Sequence, residues 1–448
     1  WKKYVKKETF ESPLFLTIIL SSLMFGGEWL SAVGLESMGE RLSSRTEVWR
    51  SPFLSHADSD QLARSIWQQA EAGMFGHGWT GATPVQAAST DFIFTSAIAG
   101  YGLLTGLIIL GVFTYFIVSS LKIANGKTGF QYYLSFGIII AIAVQSVFIL
   151  GGTTNVWVLS GVPLFGMSYG SSTLILDLMA VGALLSMSSK EDNNEVQNSE
   201  TLSRIRKQSV LSASFLLLLA AIAITSVVYS IKGDKILVQP AVLSSKQTGD
   251  LVVEYAPIME NIKFKINRGI IYDRKGNAIA DKETGRRDYP KGDDFLFWTG
   301  DINTRCLFSK AGYLPAGVLA EARWCSNLRG YDNHPKRVYA DQRKHISRYY
   351  PEWELNSERS LVLYDYSELL PFVHSKSSLD EFNKIPRHIT LTLDSDLHNL
   401  IVDAAEETIK SSNWASQRTR FSAAIIDAKT GELLASPCWP RPNQTKIQ

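Results

Sequence analysis

Apolar residues gather into long unbroken runs over residues 1–232, then scatter into short alternating or helical patterns over 233–448. About 20 consecutive apolar residues cross a bilayer as a helix. Four runs in the first half reach that length: Pro13–Val33, Asp91–Leu121, Phe130–Gly151 and Gly166–Met187. A fifth, Val210–Ile231, follows Ser188–Ser203, a polar stretch with the composition of a solvated linker. In the second half, Leu251–Lys265 and Ile270–Ala280 read as short strands with a turn at Lys275-Gly276-Asn277. Asp394 reads as the N-cap of a helix carrying Leu397, Leu400, Ile401, Ala404 and Ile409 on one face. Strands Ser422–Asp427 and Glu432–Ser436 turn through Ala428-Lys429-Thr430-Gly431. The pattern predicts an α-helical membrane bundle of about four spans plus a fifth anchor helix, followed by an α+β domain. No internal repeat is visible.

Charge orients this bundle. The 448 residues are 45% hydrophobic and 20% charged with a net charge of +2, averages that conceal the contrast between the halves. Lys2, Lys3, Lys6 and Lys7 precede the first span, Lys122 and Lys127 separate the second from the third, and Lys190, Arg204, Arg206 and Lys207 separate the fourth from the fifth. The positive-inside rule puts all three clusters on the cytoplasmic side. Residues 34–90, 152–165 and everything after 232 then face outward. A basic segment runs straight into the first span, so no cleavable signal peptide is expected. The cysteines Cys306, Cys325 and Cys438 all fall in the outward domain, where Cys306 and Cys325 are compatible with a disulfide or with two free thiols. The seven histidines show no zinc-ligand spacing, and no phosphate-binding loop or nucleic-acid signature is present.

The outward loop 34–90 is too long for a connector. It holds an amphipathic run, Asp60–Trp67, with Leu62, Ile66 and Trp67 near helical spacing, which suits either a membrane-surface helix or one packed on its own domain. The glycine-rich run Gly73-Met74-Phe75-Gly76-His77-Gly78 follows, and the loop ends at Asp91. A carboxylate at the mouth of an apolar helix is costly to keep ionised without solvent, a partner or a function. It caps the helix or it does chemistry, and local sequence leaves both readings open.

Residues 1–187 resemble the C-terminal membrane part of the SEDS family (shape, elongation, division and sporulation), the RodA/FtsW-type peptidoglycan polymerases. The motifs that carry the resemblance are Gly73–Gly78, Thr90-Asp91-Phe92-Ile93-Phe94, Gln145, and Gly161-Val162-Pro163-Leu164-Phe165-Gly166-Met167-Ser168-Tyr169-Gly170-Ser171-Ser172. The last is close to the family's G-V-P-L-P-F-x-S-Y-G-G-S-S signature. Residues from about 203 resemble the anchor and non-catalytic pedestal of a class B penicillin-binding protein. There the match rests on Arg268-Gly269-Ile270-Ile271-Tyr272-Asp273-Arg274-Lys275-Gly276-Asn277, on Thr392-Leu393-Asp394 and on Asp427–Ala435. The chain departs from the SEDS pattern at Val85–Ser89, at Ala99-Gly100 in place of an acidic pair, at Phe165 and Ser171, and at Asp177, where the family often has Asn.

The resemblance implies a layout. Residues 1–188 form a partial SEDS-like domain with outer loop 34–90, 189–208 a cytoplasmic linker and 209–232 a transmembrane anchor. Residues 233–390 form an extracytoplasmic pedestal and 391–448 the start of a transpeptidase-like domain that lacks its S-x-x-K motif. It implies a multi-pass protein of the bacterial inner membrane whose partners are lipid II, the growing glycan strand and other cell-wall proteins, with a contact inside the chain between its two halves. Lipid II polymerisation needs a base for the acceptor hydroxyl, and the family's essential Asp maps onto Asp91. It also needs positive charge, or a divalent cation, against the leaving pyrophosphate. Arg41, Arg45 and Arg50 are the candidates in the outer loop, with surface charge near lipid headgroups as the plainer reading. Ser168 and Tyr169 are expected to shape a turn and line the cavity wall. Asp177, an acid inside a span, is either a polar member of the cavity or a structural partner for another buried group. The other classes to weigh are a non-catalytic cell-wall scaffold and a lipid-carrier flippase.

Overall fold

The computed structural model describes residues 44–56, 60–78, 87–127, 129–188, 199–244, 251–282, 287–300, 319–333, 336–338, 361–412 and 420–441. The expected first span Pro13–Val33, Arg41 and Cys306 lie outside these residues. The chain divides into two compact units, one holding residues up to Ile258 together with Lys336–Leu363, the other Met259–Pro335 and Tyr364–Gln448. The division falls after Ile258, so the first strands beyond the anchor belong with the membrane helices and not with the rest of the expected pedestal.

The first unit is built on helices α1 (Asp60–Glu71), α2 (Ile93–Tyr101), α3 (Leu103–Asn125), α4 (Gly129–Thr153), α5 (Ser171–Ser188), α6 (Ser199–Ile231) and α7 (Gly233–Leu237). Four stretches are long and apolar enough to cross a membrane: α3, α4, α5 and residues Ser209–Ile231 of α6. Leu110, Phe113, Ile117, Ile139, Leu219 and Ile222 form one buried cluster where α3, α4 and α6 meet. The anchor thus packs into the bundle. Its helix also starts early, taking in the half of the expected linker from Ser199 onward, where no Pro or Gly interrupts the helical run.

The span expected over Asp91–Leu121 is two helices. Gly102 breaks it with a φ of 87°, a backbone conformation that side chains beyond glycine rarely adopt. Helix α2 then folds back on α3. A Cβ added at Gly106 would lie 2.7 Å from Ile98 Cγ1 and 3.7 Å from Phe94 Cζ. In an unbroken helix those residues would be about 12 and 18 Å apart along the axis. The first N–H groups of α3 have no partner within the helix, and the glycine-rich run supplies one: Leu103 N–H donates to Gly73 O (2.9 Å) and Leu104 N–H to Met74 O (3.3 Å). On the same corner Gly78 N–H donates to Gly100 O at 2.8 Å.

A small sheet joins the loop to the chain beyond the anchor. Strand β1 (Leu54–His56) pairs in parallel with β2 (Ala241–Ser244), which pairs antiparallel with β3 (Leu251–Glu254). Helix α1 lies beneath it and is buried along most of its length, with Leu62, Ala63, Ile66 and Trp67 at 2% exposure or less. Trp67 Nε1 donates to Ile236 O of α7 (3.1 Å), and Ser226 Oγ of α6 donates to Gln69 Oε1 (3.1 Å). Arg64 pairs with Asp60 and with Glu254 of β3, both at 3.0 Å. Of the two readings of the amphipathic run, the structure takes the packed one.

In the second unit a four-stranded sheet runs β6 (Arg287–Asp288), β5 (Ala278–Lys282), β4 (Ile271–Tyr272), β9 (Ile389–Thr390), with β7 and β8 being the Lys336–Val338 and Leu361–Leu363 pair of the first unit. The stretch read as one strand over Leu251–Lys265 is β3 followed by helix α8 (Pro257–Lys265); Pro257, with its fixed φ, suits the first turn of a helix and ends the strand. The Arg268–Asn277 motif is structural. Arg268 and Arg287 share the fully buried Glu321 (2.6 and 2.7 Å), and a Cβ at Gly269 would fall on Arg387 O. Asp273 accepts from Asn277, Lys275 N–H and Ser395 Oγ, which ties the β4–β5 turn to helix α9 (Ser395–Ser411). Asp394 caps α9 as expected, accepting from the N–H groups of Asp396 and Leu397. Its buried stripe runs through Ser395, His398, Val402 and Ile409 and leaves Leu400 67% exposed, one register away from the expected face. Cys325 carries a free thiol, 3.7 Å from Arg268 Nη2.

Candidate active site around Asp91

Two irregular segments converge on Asp91. One is the turn 87–92 that leads into α2. The other is residues 154–170, which leave the end of α4 and run back along it. Trp157 packs over Gly151 and Leu159 over Gly152, and Gln145 Nε2 donates to Pro163 O at 2.8 Å. Gln145 lies two turns inside α4, so Pro163 sits about 12 Å below the helix end. Backbone of this kind is stable at membrane depth only where protein buries it or a water-filled cavity receives it.

The signature supplies the fastening. Ser168 Oγ accepts from Leu164 N–H (2.7 Å), closing its own turn, and donates to Thr90 O (2.7 Å). Tyr169 N–H donates to Ser89 O at 2.8 Å, while the Tyr169 side chain is 82% exposed. Asp177, in the second turn of α5, accepts from Gly166 N–H at 2.8 Å. Gly166 has a φ of 67°, so the tight turn there favours glycine. Asp177 thus anchors the loop through a backbone N–H. Ser168, 7% exposed, lies in the turn it was expected to shape and also holds the residue preceding Asp91.

Asp91 itself is half-buried, and its Oδ2 lies 3.8 Å from the position a Cβ would occupy on Gly161. The N-cap of α2 is Phe92 and no side chain caps that helix, so Asp91 does not play the capping role. Among the described residues it has no hydrogen-bond or ion-pair partner. Arg45, in the helical turn 44–50, places Nη1 3.5 Å from Ser160 O, next to Gly161. Trp49 in the same turn donates to Asn155 O at 3.3 Å. Arg45 and Asp91 thus flank one corner, Ser160-Gly161. Arg50 is exposed and makes no such bond among the described residues, and Arg41 lies outside them. No group of three or more His, Cys, Asp or Glu stands together among the described residues, so these side chains do not assemble a metal site. Sequence reasoning missed Trp49 and Ser160, whose roles rest on backbone contacts over a hundred residues away.

Residues 12–193 match the family model for FtsW, RodA and SpoVE, described as cell cycle protein. The chain is 29% identical over 175 residues to the probable peptidoglycan glycosyltransferase FtsW of Alkalilimnicola ehrlichii, covering 37% of this chain and 43% of that protein. It is 32% identical over 156 residues to the peptidoglycan glycosyltransferase RodA of Mycobacterium tuberculosis, covering 33% of each. With stage V sporulation protein E of Bacillus subtilis the identity is 31% over 154 residues, 33% of this chain and 41% of the relative. The chain spans less than half the length of these curated relatives. No solved structure matches it.

Proposed function

We propose that this chain carries part of a lipid II polymerase of the bacterial inner membrane, with Asp91 as its general base. The observation that carries the reading is the Asp91 carboxylate, without a protein partner among the described residues, at the meeting of two irregular segments where Arg45 contacts Ser160 and Asp91 faces Gly161. In the reaction the 4-hydroxyl of one lipid-linked sugar attacks the anomeric carbon of another. The new C–O bond forms as the bond to the carrier pyrophosphate breaks. Asp91 takes the hydroxyl proton, and the leaving pyrophosphate departs with its charge met by Arg45. Ser168 and Tyr169 hold Ser89 and Thr90 so that the carboxylate is in place before substrate arrives.

The C-terminal part is read as the pedestal of a class B penicillin-binding protein, facing outward with the Asp91 corner. What supports this is the Arg268–Asn277 motif at the β4–β5 turn; within the first unit, the pairing of β1 with β2 and the burial of α1 against α6 and α7 tie the loop bearing Arg45 to the segment just beyond the anchor. Joining the two activities in one chain makes their encounter intramolecular.

The test is lipid II polymerisation by the full-length protein in vesicles. Parent activity with a loss of at least about 100-fold in Asp91→Ala supports the enzyme. Polymer formed equally by both excludes Asp91 as the base. Polymer from neither points to a scaffold, and lipid transport without polymer to a flippase.

A further inference from the structure

The glycine-rich run carries a second surface, distinct from the Asp91 corner. Phe75 is 79% exposed and Met74 56% exposed, although both sit in a backbone that is closely held. A Cβ at Gly102 would lie 2.2 Å from Met74 O and one at Gly76 2.4 Å from Gly100 O, so the run fits flush against the break between α2 and α3. Its carbonyls at Gly73 and Met74 complete the first turn of α3. The two side chains are therefore presented rigidly outward, at the end of a helix long and apolar enough to cross a membrane.

The face of α3 that continues from them is apolar and exposed as well. Leu104, Ile108, Val112 and Tyr115 follow one another at helical spacing along it. Helix α3 has 23 residues, about 34 Å, which already matches the hydrocarbon thickness. Its first residue then lies at the level where acyl chains meet headgroups, and Met74 and Phe75 extend the apolar stripe at that level. Large apolar side chains on a pinned loop at this depth do what interfacial aromatic residues do, gaining free energy by burial among the acyl chains.

The geometry points to Met74 and Phe75 as an interfacial anchor, inserted among the phospholipid acyl chains of the leaflet in which α3 begins. It fixes the depth of the Gly100–Gly102 corner, from which α2 runs to Asp91. The inference rests on α3 as a membrane span and not on the catalytic reading.

The test replaces Phe75 by p-benzoylphenylalanine in the full chain, reconstituted into phosphatidylethanolamine and phosphatidylglycerol vesicles and irradiated. Phe264, 66% exposed in the second unit, receives the same replacement as the reference position. Mass spectrometry is expected to find phospholipid adducts at position 75 at least tenfold above those at 264. Adducts at 75 equal to those at 264, none at either position, or cross-links from 75 only to protein would overturn the anchor. Because the Phe75 side chain is largely exposed, the replacement leaves folding intact, and an unfolding temperature equal to the parent's verifies it.

Discussion

Ser168 stands between two backbones, accepting from Leu164 N–H and donating to Thr90 O. Ser168→Ala leaves both without a partner in a buried place, at a cost of roughly 1–3 kcal/mol. It also loosens the residue before Asp91. A displacement of about 1 Å in a reacting group costs up to 100-fold in rate, so kcat should fall at least about tenfold while KM for lipid II moves less; equal changes in both would instead mark Ser168 as a substrate contact. Asp177 gives a sharper contrast. Its work is to accept one N–H from Gly166, and an amide oxygen accepts as well as a carboxylate oxygen. Asp177→Asn should retain activity within about twofold, whereas Asp177→Leu orphans the Gly166 N–H and should lose it. If Asn fails as badly as Leu, the charge at 177 matters in its own right. Residue types are legible here, and roles only partly. The signature names Ser168, and Asp177 stands out as an acid inside a span, but that Ser168 and Tyr169 act on backbone groups depends on Ser89–Thr90 arriving from nearly eighty residues away.

Among elements, the legible ones are those with long periodic signals. Helices α4 and α5 fall close to their expected runs because twenty apolar residues leave few alternatives in lipid. The fold-back of α2 escapes such a reading, since the apolar run continues unbroken through Gly100-Tyr101-Gly102 and hydropathy carries no record of a change in direction. Helix α9 shows the opposite case: its cap is legible and its face is not, because His398 stands where an aliphatic residue is expected in the buried stripe. His398 is 1% exposed against the Phe295 ring, with centroids 4.5 Å apart. Burial pushes its pKa below the usual histidine range, Asp294 opposes that and Arg441 adds to it. A histidine whose folded pKa lies below its unfolded value stabilises the fold above the unfolded pKa and withdraws that stability as pH falls through it. Asp273 behaves in the same direction further down: burial works against its charge, but hydrogen bonds from Ser395 and Asn277 outweigh it and hold the carboxyl at about 2. Its contribution is present above about pH 4 and is lost as pH falls towards about 2. Thermal unfolding of the second unit should therefore weaken in two steps on acidification. His398→Phe should remove the step that begins as pH falls below about 6.5, and Asp273→Ala the one below about pH 4. A His398→Phe protein with an unchanged first step would refute the assignment.

At the scale of the first unit, a contact no local pattern foretells joins the outer loop to the chain beyond the anchor. Strands β1 and β2 are three and four residues long and lie nearly two hundred positions apart, so neither shows a strand signal strong enough to place the other. Parallel pairing between them is held by α1, whose buried face packs on α6 and α7, and by Arg64, which bridges Asp60 and Glu254. Arg45 precedes β1 by nine residues, with Trp49 fastening the intervening turn to Asn155, so the position of the hairpin β2–β3 bears on the Asp91 corner through one short, well-tethered segment. A partly exposed ion pair contributes at most about 1 kcal/mol to stability, so reversing it should change geometry more than folding. Arg64→Glu brings three carboxylates together and should lower polymerisation severalfold with little shift in unfolding temperature. Glu254→Arg places two guanidinium groups in contact and should do the same. The double exchange, Arg64→Glu with Glu254→Arg, restores opposite charges across the pair, though it leaves Asp60 beside a carboxylate at position 64, so recovery should be partial. Recovery in the double variant is the decisive reading: two independent surface defects would add, whereas a shared contact couples. Additive losses would mean that Arg64 and Glu254 act independently and not through their shared contact.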